Sequence, residues 1–289
     1  MKTALIDGDI LVYRMAFATQ KNVWTHTRSG QFFEGVKKAK DWFKEENGFN
    51  PNIHKPKEWM DKYWDESEWT SELQVEPFNH CSYLIDMAMN TIVKKTGADT
   101  ATVYLSDKSC FRNDIAVTKE YKAGRPPPPV HKDKARDYLL NLYGAEIGDN
   151  LEADDMLGLN QTESTVICSI DKDLLQIPGR HYDIVNETSH MVDPYEADCW
   201  FMCQVISGDA TDNIPGIPGM GDAKAAKLVD AYAGDHEGLV ECIKGMYEEH
   251  YPYDPEGVLR EMAQLVYILR KGDVLGENEQ WRNLLNLED

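Results

Sequence analysis

Three short apolar runs that each end on an aspartate constrain the fold of this chain more than any other feature. They are KTALIDGD near the start, TATVYLSD over 100–107 and STVICSID over 164–171. Such continuous runs read as strands buried on both faces, the pattern of a parallel sheet. Between them lie segments of helical period, CSYLIDMAMNTIVKK and KARDYLLNLYG, so strands and helices alternate. HYDIVN and HMVDP add further strand material. The expected architecture is α/β, with a central mainly parallel sheet and flanking helices.

From about Tyr195 the chain reads as mainly helical: EADCWFMCQVISG and AKAAKLVDAYAG flank a Gly/Pro loop, and GVLREMAQLVYILRK lies near the end. The expected division is therefore a first domain over 1–194 and a helical subdomain over 195–289, with its Gly/Pro hairpin at 214–221. An insertion at about 21–80 holds five of the seven tryptophans, Trp24, Trp42, Trp59, Trp64 and Trp69. It reads first as a helical elaboration packed on the sheet, and otherwise as a unit with its own aromatic cluster or a docking surface. RPPPPV, residues 125–130, reads as a stiff extended linker.

The acids matter by position. In an open parallel sheet the carboxyl ends of the strands share one edge, where such folds build their sites. Asp7, Asp107 and Asp171 stand at those ends, and Asp173 joins Asp171 if the strand geometry continues two residues further. Glu152, Asp154 and Asp155 open a helical pattern in GDNLEADDMLG, with Asn150 as the expected cap. Taken singly they read as acids favoured by a helix dipole. Asp209 and Asp212, in SGDATDN, read singly as turn formers. So many carboxylates on one edge repel one another, and divalent cations relieve that repulsion. Oxygen ligands without His or Cys favour Mg2+, with Mn2+ as a substitute. A pair of such ions points to hydrolysis of a phosphodiester.

The formal net charge of −20 would by itself argue against a nucleic-acid partner. A site that gathers acids around cations removes that objection. Asp7 and Asp9 interrupt the only run resembling a signal peptide, and no apolar stretch is long enough to span a bilayer. The six cysteines lack CxxC or metal-finger spacing and read as core thiols. A cytoplasmic monomer is expected.

LIDGD, YLSDK, EYKAGR, LEADDM, SIDKDLLQ and SGDATDNIPGIPGMG, in this order and across most of the chain, resemble the 5′-nucleases: flap endonucleases, the 5′-nuclease domain of bacterial DNA polymerase I and phage 5′-to-3′ exonucleases. The resemblance implies a PIN-like sheet followed by a helix-hairpin-helix DNA-binding region, and two Mg2+ ions. It carries the metal-ligand role onto Asp7, Asp107, Glu152, Asp154, Asp155, Asp171, Asp173, Asp209 and Asp212. Asp9 lies near the site but is not a usual ligand. The resemblance further implies that Lys122 and Arg125 reach the scissile phosphate and that Tyr121 is free to stack on an unpaired base. Gly216, Gly219 and Gly221 would let backbone amides approach duplex phosphates, Lys224 and Lys227 would add charge, and K+ could sit at the hairpin.

Two departures qualify the resemblance. Relatives commonly carry a lysine two residues after the last glycine, where this chain has Ala223, followed by Lys224. Residues 121–135, where relatives arch over the site, are short and proline-rich, which favours action from 5′ ends over threading of a strand. The implied function is 5′-to-3′ DNA exonuclease with flap endonuclease activity, in replication, repair or primer removal. The rivals are a PIN-type ribonuclease and a non-catalytic DNA-structure binding protein. A replication protein is an expected partner of the Trp-rich insertion. The compact form without a polymerase suggests a virus, and hence a host cytoplasm.

Overall fold

The computed structural model describes residues 1–277 and 279–287. The chain divides into two compact units, one of Met1–Leu11, Asp86–Pro127 and Arg136–Asp289, the other of Val12–Ile85 and Pro128–Ala135.

The first unit is built on a six-stranded sheet. In chain order the strands of the protein are β1 (Thr3–Asp7), β2 (Gln20–His26), β3 (Phe32–Glu34), β4 (Trp69–Val75), β5 (Thr100–Leu105), β6 (Glu146–Ile147), β7 (Thr165–Ser169), β8 (Gly179–Asp183) and β9 (Thr188–Val192). The large sheet runs β6-β5-β1-β7-β8-β9, parallel except for the antiparallel β8-β9 hairpin. All five residues of β7 are buried, which is why its sequence is a continuous rather than alternating apolar run. Asp7 pairs with Tyr104 and Ile6 with Cys168, so the ends of β5, β1 and β7 come out at one edge in register. Gly8 is required there by close approach, because a Cβ would stand 2.6 Å from the Tyr104 carbonyl.

Beyond the sheet, the helices Pro194–Ser207, Asp222–Ala231, His236–His250 and Pro255–Val266 enclose a core around Phe201, Tyr247 and Tyr267. Three of them start on aspartates whose side chains accept backbone N–H groups: Asp193, Asp235 and Asp254. Among the described residues no helix is long and apolar enough to cross a membrane, and the six cysteines are free.

The second unit corrects the expectation of a purely helical insertion. It forms its own antiparallel sheet, β3-β2-β4, accompanied by the helices Val36–Glu46 and Pro56–Tyr63. Trp24 lies opposite Phe33, and His26 opposite Trp69. These residues and Phe43, Trp42, Trp59 and Trp64 form one aromatic cluster. Aromatic cross-strand pairs of this kind are what stabilise so small a sheet. Only Trp69 of β4 is buried, so the strand shows no alternating apolar pattern in the sequence.

Candidate active site

The strand ends are stitched together by Ser169. Asp7, 3% exposed, accepts the Ile10 N–H at 3.0 Å and the Ser169 hydroxyl at 2.7 Å, and that same hydroxyl oxygen accepts the Asp171 N–H at 3.0 Å. The expected continuation of the strand to Asp173 does not occur. Asp171 instead caps a 3-10 turn over Lys172–Gln176, its side chain accepting the Asp173 N–H at 2.9 Å. A bonded turn satisfies backbone groups that would be left unpaired if the strand ran on alone. It still keeps the two carboxylates close enough to repel.

That repulsion appears in the proton affinities. Burial, opposed by the Ile10 and Ser169 hydrogen bonds and reinforced by Asp9 and Asp171, raises Asp7 to about 7. Burial, then Asp171 and Asp209, raises Asp173 to about 8. Asp154 is held well above the carboxylate range by desolvation, then by Asp7 and Asp171, and Asp171 is raised by desolvation and by Asp209 and Asp212. Asp7, Asp154, Asp171, Asp173, Asp209 and Asp212 thus share one electrostatic neighbourhood. Gln204 donates to Asp173 at 2.7 Å, and Asp209 accepts the Thr211 N–H at 2.7 Å. Asp107 is tied to the neighbouring loop, accepting N–H bonds from Asn150 and Lys108 that lower its pKa.

Glu152 and Asp155 meet a residue that sequence reasoning missed. Glu152, rather than the expected Asn150, caps the helix Ala153–Asn160, in a reciprocal capping box with Asp155. Arg112, 3% exposed, donates to both Asp155 oxygens at 2.7 and 2.8 Å, to Glu152 at 3.2 Å, and to the carbonyls of Leu265 and Tyr267 at 3.0 and 2.5 Å. Asp155 also accepts the Leu269 N–H at 3.2 Å, so its oxygens are committed to these partners. Burial alone would raise Glu152, but Arg112 and Lys122 outweigh it and lower its pKa. The one signal for Arg112 in the sequence is an arginine directly after Cys110 and Phe111.

Lys122 and Arg125 are brought to this edge. Lys122 pairs with Glu152 and stands 3.6 Å from Asp212, and Arg125 pairs with Asp212. Tyr121 is not free to stack on a base: it is 7% exposed within the helical core, its hydroxyl 2.8 Å from Glu152 and 2.9 Å from Asp212. Burying the ring while keeping its polar tip bonded is the stable arrangement.

The Gly/Pro segment joins the helices Pro194–Ser207 and Asp222–Ala231. Gly208 and Gly216, both at positive φ, abut: a Cβ on Gly216 would lie 2.3 Å from the Gly208 nitrogen. That face of Gly216 is closed by packing, whereas Gly219 and Gly221 border open space. Lys224 and Lys227 are exposed, with the Lys224 ammonium 2.8 Å from the Gly219 carbonyl.

Among the described residues no three His, Cys, Asp or Glu side chains are gathered as a ready cation cage. The donor chemistry nevertheless suits a hard divalent ion, because the raised carboxylates offer oxygen alone and repel one another. This has a measurable consequence. A carboxylate with a raised pKa binds its proton more tightly when folded than when unfolded, so stability falls as pH rises from the usual carboxylate range through the folded value. With chelator present, the thermal midpoint is expected to decline between about pH 5 and about pH 8, and Mg2+ is expected to flatten the decline. A chelated midpoint that rises across this window would contradict the assignment. Glu152 and Asp107, being lowered, act in the opposite sense and only towards acid pH.

No protein-family model matches the chain. It is similar to DNA polymerase I of Rhizobium leguminosarum, 32% identical over 182 residues, which are 55% of this chain and 17% of that protein. It is also similar to the 5′-3′ exonuclease of Bacillus subtilis (strain 168), 30% identical over 146 residues, 42% of this chain and 48% of that protein. The chain therefore spans less than half the length of either relative. Among solved structures it resembles a bacteriophage T5 flap endonuclease in a pseudo-enzyme-product complex with DNA and metal ions, with TM-score 0.54, 16% identity and coverage of 92% of this chain and 89% of that one. It likewise resembles the T5 5′-exonuclease with zinc bound, with TM-score 0.53, 18% identity and coverage of 92% and 90%. At these identities the structural likeness is one of fold.

Proposed function

We propose that this chain is a 5′-nuclease, a hydrolase that cuts DNA phosphodiester bonds from 5′ ends in the 5′-to-3′ direction, with structure-specific cutting at flaps. The observation that carries this reading is the juxtaposition of mutually repelling strand-end carboxylates with Lys122 and Arg125. Asp7, Asp154, Asp171, Asp173 and Asp209 would hold Mg2+, or Mn2+ in its place, with Asp107, Glu152 and Asp212 adjoining. When bound, a pair of such ions supplies activation of water and stabilisation of the leaving oxygen. Asp155 supports the site by holding Arg112 rather than by ligation.

The protein's own groups have separable tasks. Ser169 and Gln204 fix the orientation of Asp7 and Asp173. Arg112 keeps Glu152 ionised and in place. Lys122 and Arg125 supply positive charge to the phosphoryl group undergoing transfer. Glu152 and Asp212 hold these two cations at the site edge.

The helices Pro194–Ser207 and Asp222–Ala231 with their loop would serve as a helix-hairpin-helix grip on duplex DNA, through Gly219, Gly221, Lys224 and Lys227, with K+ at the hairpin carbonyls. Gly216 would act there by packing. On this reading 1–194 is catalytic and 195–289 binds DNA, in a cytoplasmic monomer, with a replication protein docking on the aromatic cluster of the second unit. The test is a time course in Mg2+ on 5′-labelled duplex, nicked and flap DNA beside matched RNA. Short 5′ products from DNA are expected. Cleavage confined to RNA, or binding without cleavage, would replace this function with one of its rivals.

A further inference from the structure

We infer that Asn213 is a positioning residue for Lys122, an inference that rests on the nuclease reading of that cation. Residues 116–125 form no regular strand or helix of their own, and backbone hydrogen bonding alone does not set where the Lys122 ammonium points. Side chains from elsewhere in the same unit hold the segment. At its start, Glu261 accepts the N–H groups of Val117 and Thr118 at 2.8 and 2.7 Å and the Thr118 hydroxyl at 2.5 Å. At its far end the Lys122 N–H donates to the Asp212 carbonyl at 2.9 Å, and the Asn213 side-chain amide donates to the Glu120 carbonyl at 2.8 Å.

The far end is set by a tight loop. Asp212 and Asn213 lie in a tight loop closed by the paired Asp209 and Ile214 backbones, at 3.0 and 2.8 Å, and by the Gly208–Gly216 contact. Lys122 and Asn213 both adopt left-handed backbone conformations, φ 57 and φ 61. Asparagine tolerates that region, whereas a lysine stays there only when its surroundings impose it. The surroundings here are two hydrogen bonds that tie the segment to consecutive residues, the Lys122 N–H donating to the Asp212 carbonyl and the Asn213 amide donating to the Glu120 carbonyl. Asn213 thus fixes the turn that aims Lys122 at Glu152, without itself touching the carboxylates.

Two substitutions test this role. Asn213→Gly keeps the left-handed backbone and removes the amide; Asn213→Asp keeps the side-chain shape but replaces the donor with a charged acceptor. In both, the Lys122 and Ala123 amides are expected to exchange with solvent at least about tenfold faster, while the thermal midpoint stays near wild type. Single-turnover cleavage of a 5′-labelled flap is expected to slow about tenfold, with DNA affinity changed by less than about twofold. Combined with Lys122→Ala, neither variant should slow the reaction further, because the amide acts through that lysine. Unchanged exchange in both variants, or rate losses that simply add to that of Lys122→Ala, would overturn the inference. Full cleavage by Lys122→Ala alone would remove the catalytic reading of the lysine, while the exchange measurement would still decide whether Asn213 fixes the turn.

Discussion

Replacing Asp171 with asparagine is expected to slow DNA cleavage by roughly a thousandfold or more, the scale of loss when a group acting on developing charge is removed. The substitution is nearly isosteric, and the asparagine oxygen can still accept the Asp173 N–H that forms the adjoining turn. Folding and DNA binding should therefore survive. Removal of one charge from a repelling set should also make the metal-free variant somewhat more stable than the parent at neutral pH, since burial and Asp171 together raise the Asp173 carboxyl. Single-turnover cleavage of end-labelled DNA in Mg2+ measures the first effect, and thermal unfolding in chelator the second. Retained cleavage at the parental rate would show that the strand-end carboxylates are not the reactive centre.

The second large effect is on stability. Arg112→Met is expected to cost about 3–5 kcal/mol, because it leaves Asp155 and Glu152 without their buried cation. It also strips two backbone carbonyls of donors, those of Leu265 and Tyr267, at the C-terminal end of the helix Pro255–Val266 and just past it. Urea denaturation reads this directly as a lower midpoint. A midpoint equal to the parent's would mean that the network is replaceable and that Glu152 is held by Lys122 and Tyr121 alone.

The sequence exposes part of this site because buried parallel strands write themselves as unbroken apolar runs. Asp7, Asp107 and Asp171 could therefore be placed at strand ends, and the alternating sheet with helices over 78–96 and 132–143 could be anticipated. The chain just past the strand ends is less legible. The turn after Asp171 depends on a hydroxyl, Ser169, that also serves the neighbouring strand, and no local pattern encodes a shared partner of that kind. Glu152 as the helix cap is hidden for a different reason: Asn150 has the stronger intrinsic preference, and only the reciprocal bond with Asp155 tips the choice. Arg112 is silent in one dimension because its carboxylate and carbonyl partners lie 40 to 155 residues away. Tyr121 illustrates the limit of resemblance, since the motif names the residue but not which way its ring faces.

The tryptophan-rich sheet has a spectroscopic consequence. Five of the seven indoles sit in the second unit, leaving Trp200 and Trp281 to the first. Within that unit Trp64 and Trp69 are stacked at 4.5 Å with an 18° angle between rings, close enough for their transitions to couple. Intrinsic fluorescence and near-ultraviolet dichroism are therefore weighted towards the unit that holds none of the candidate catalytic side chains. A melting curve followed by indole emission would report mainly on that aromatic cluster, while one followed by DNA cleavage would report on the carboxylate edge. Agreement between them would be a test of whether the two units unfold together, rather than something to assume.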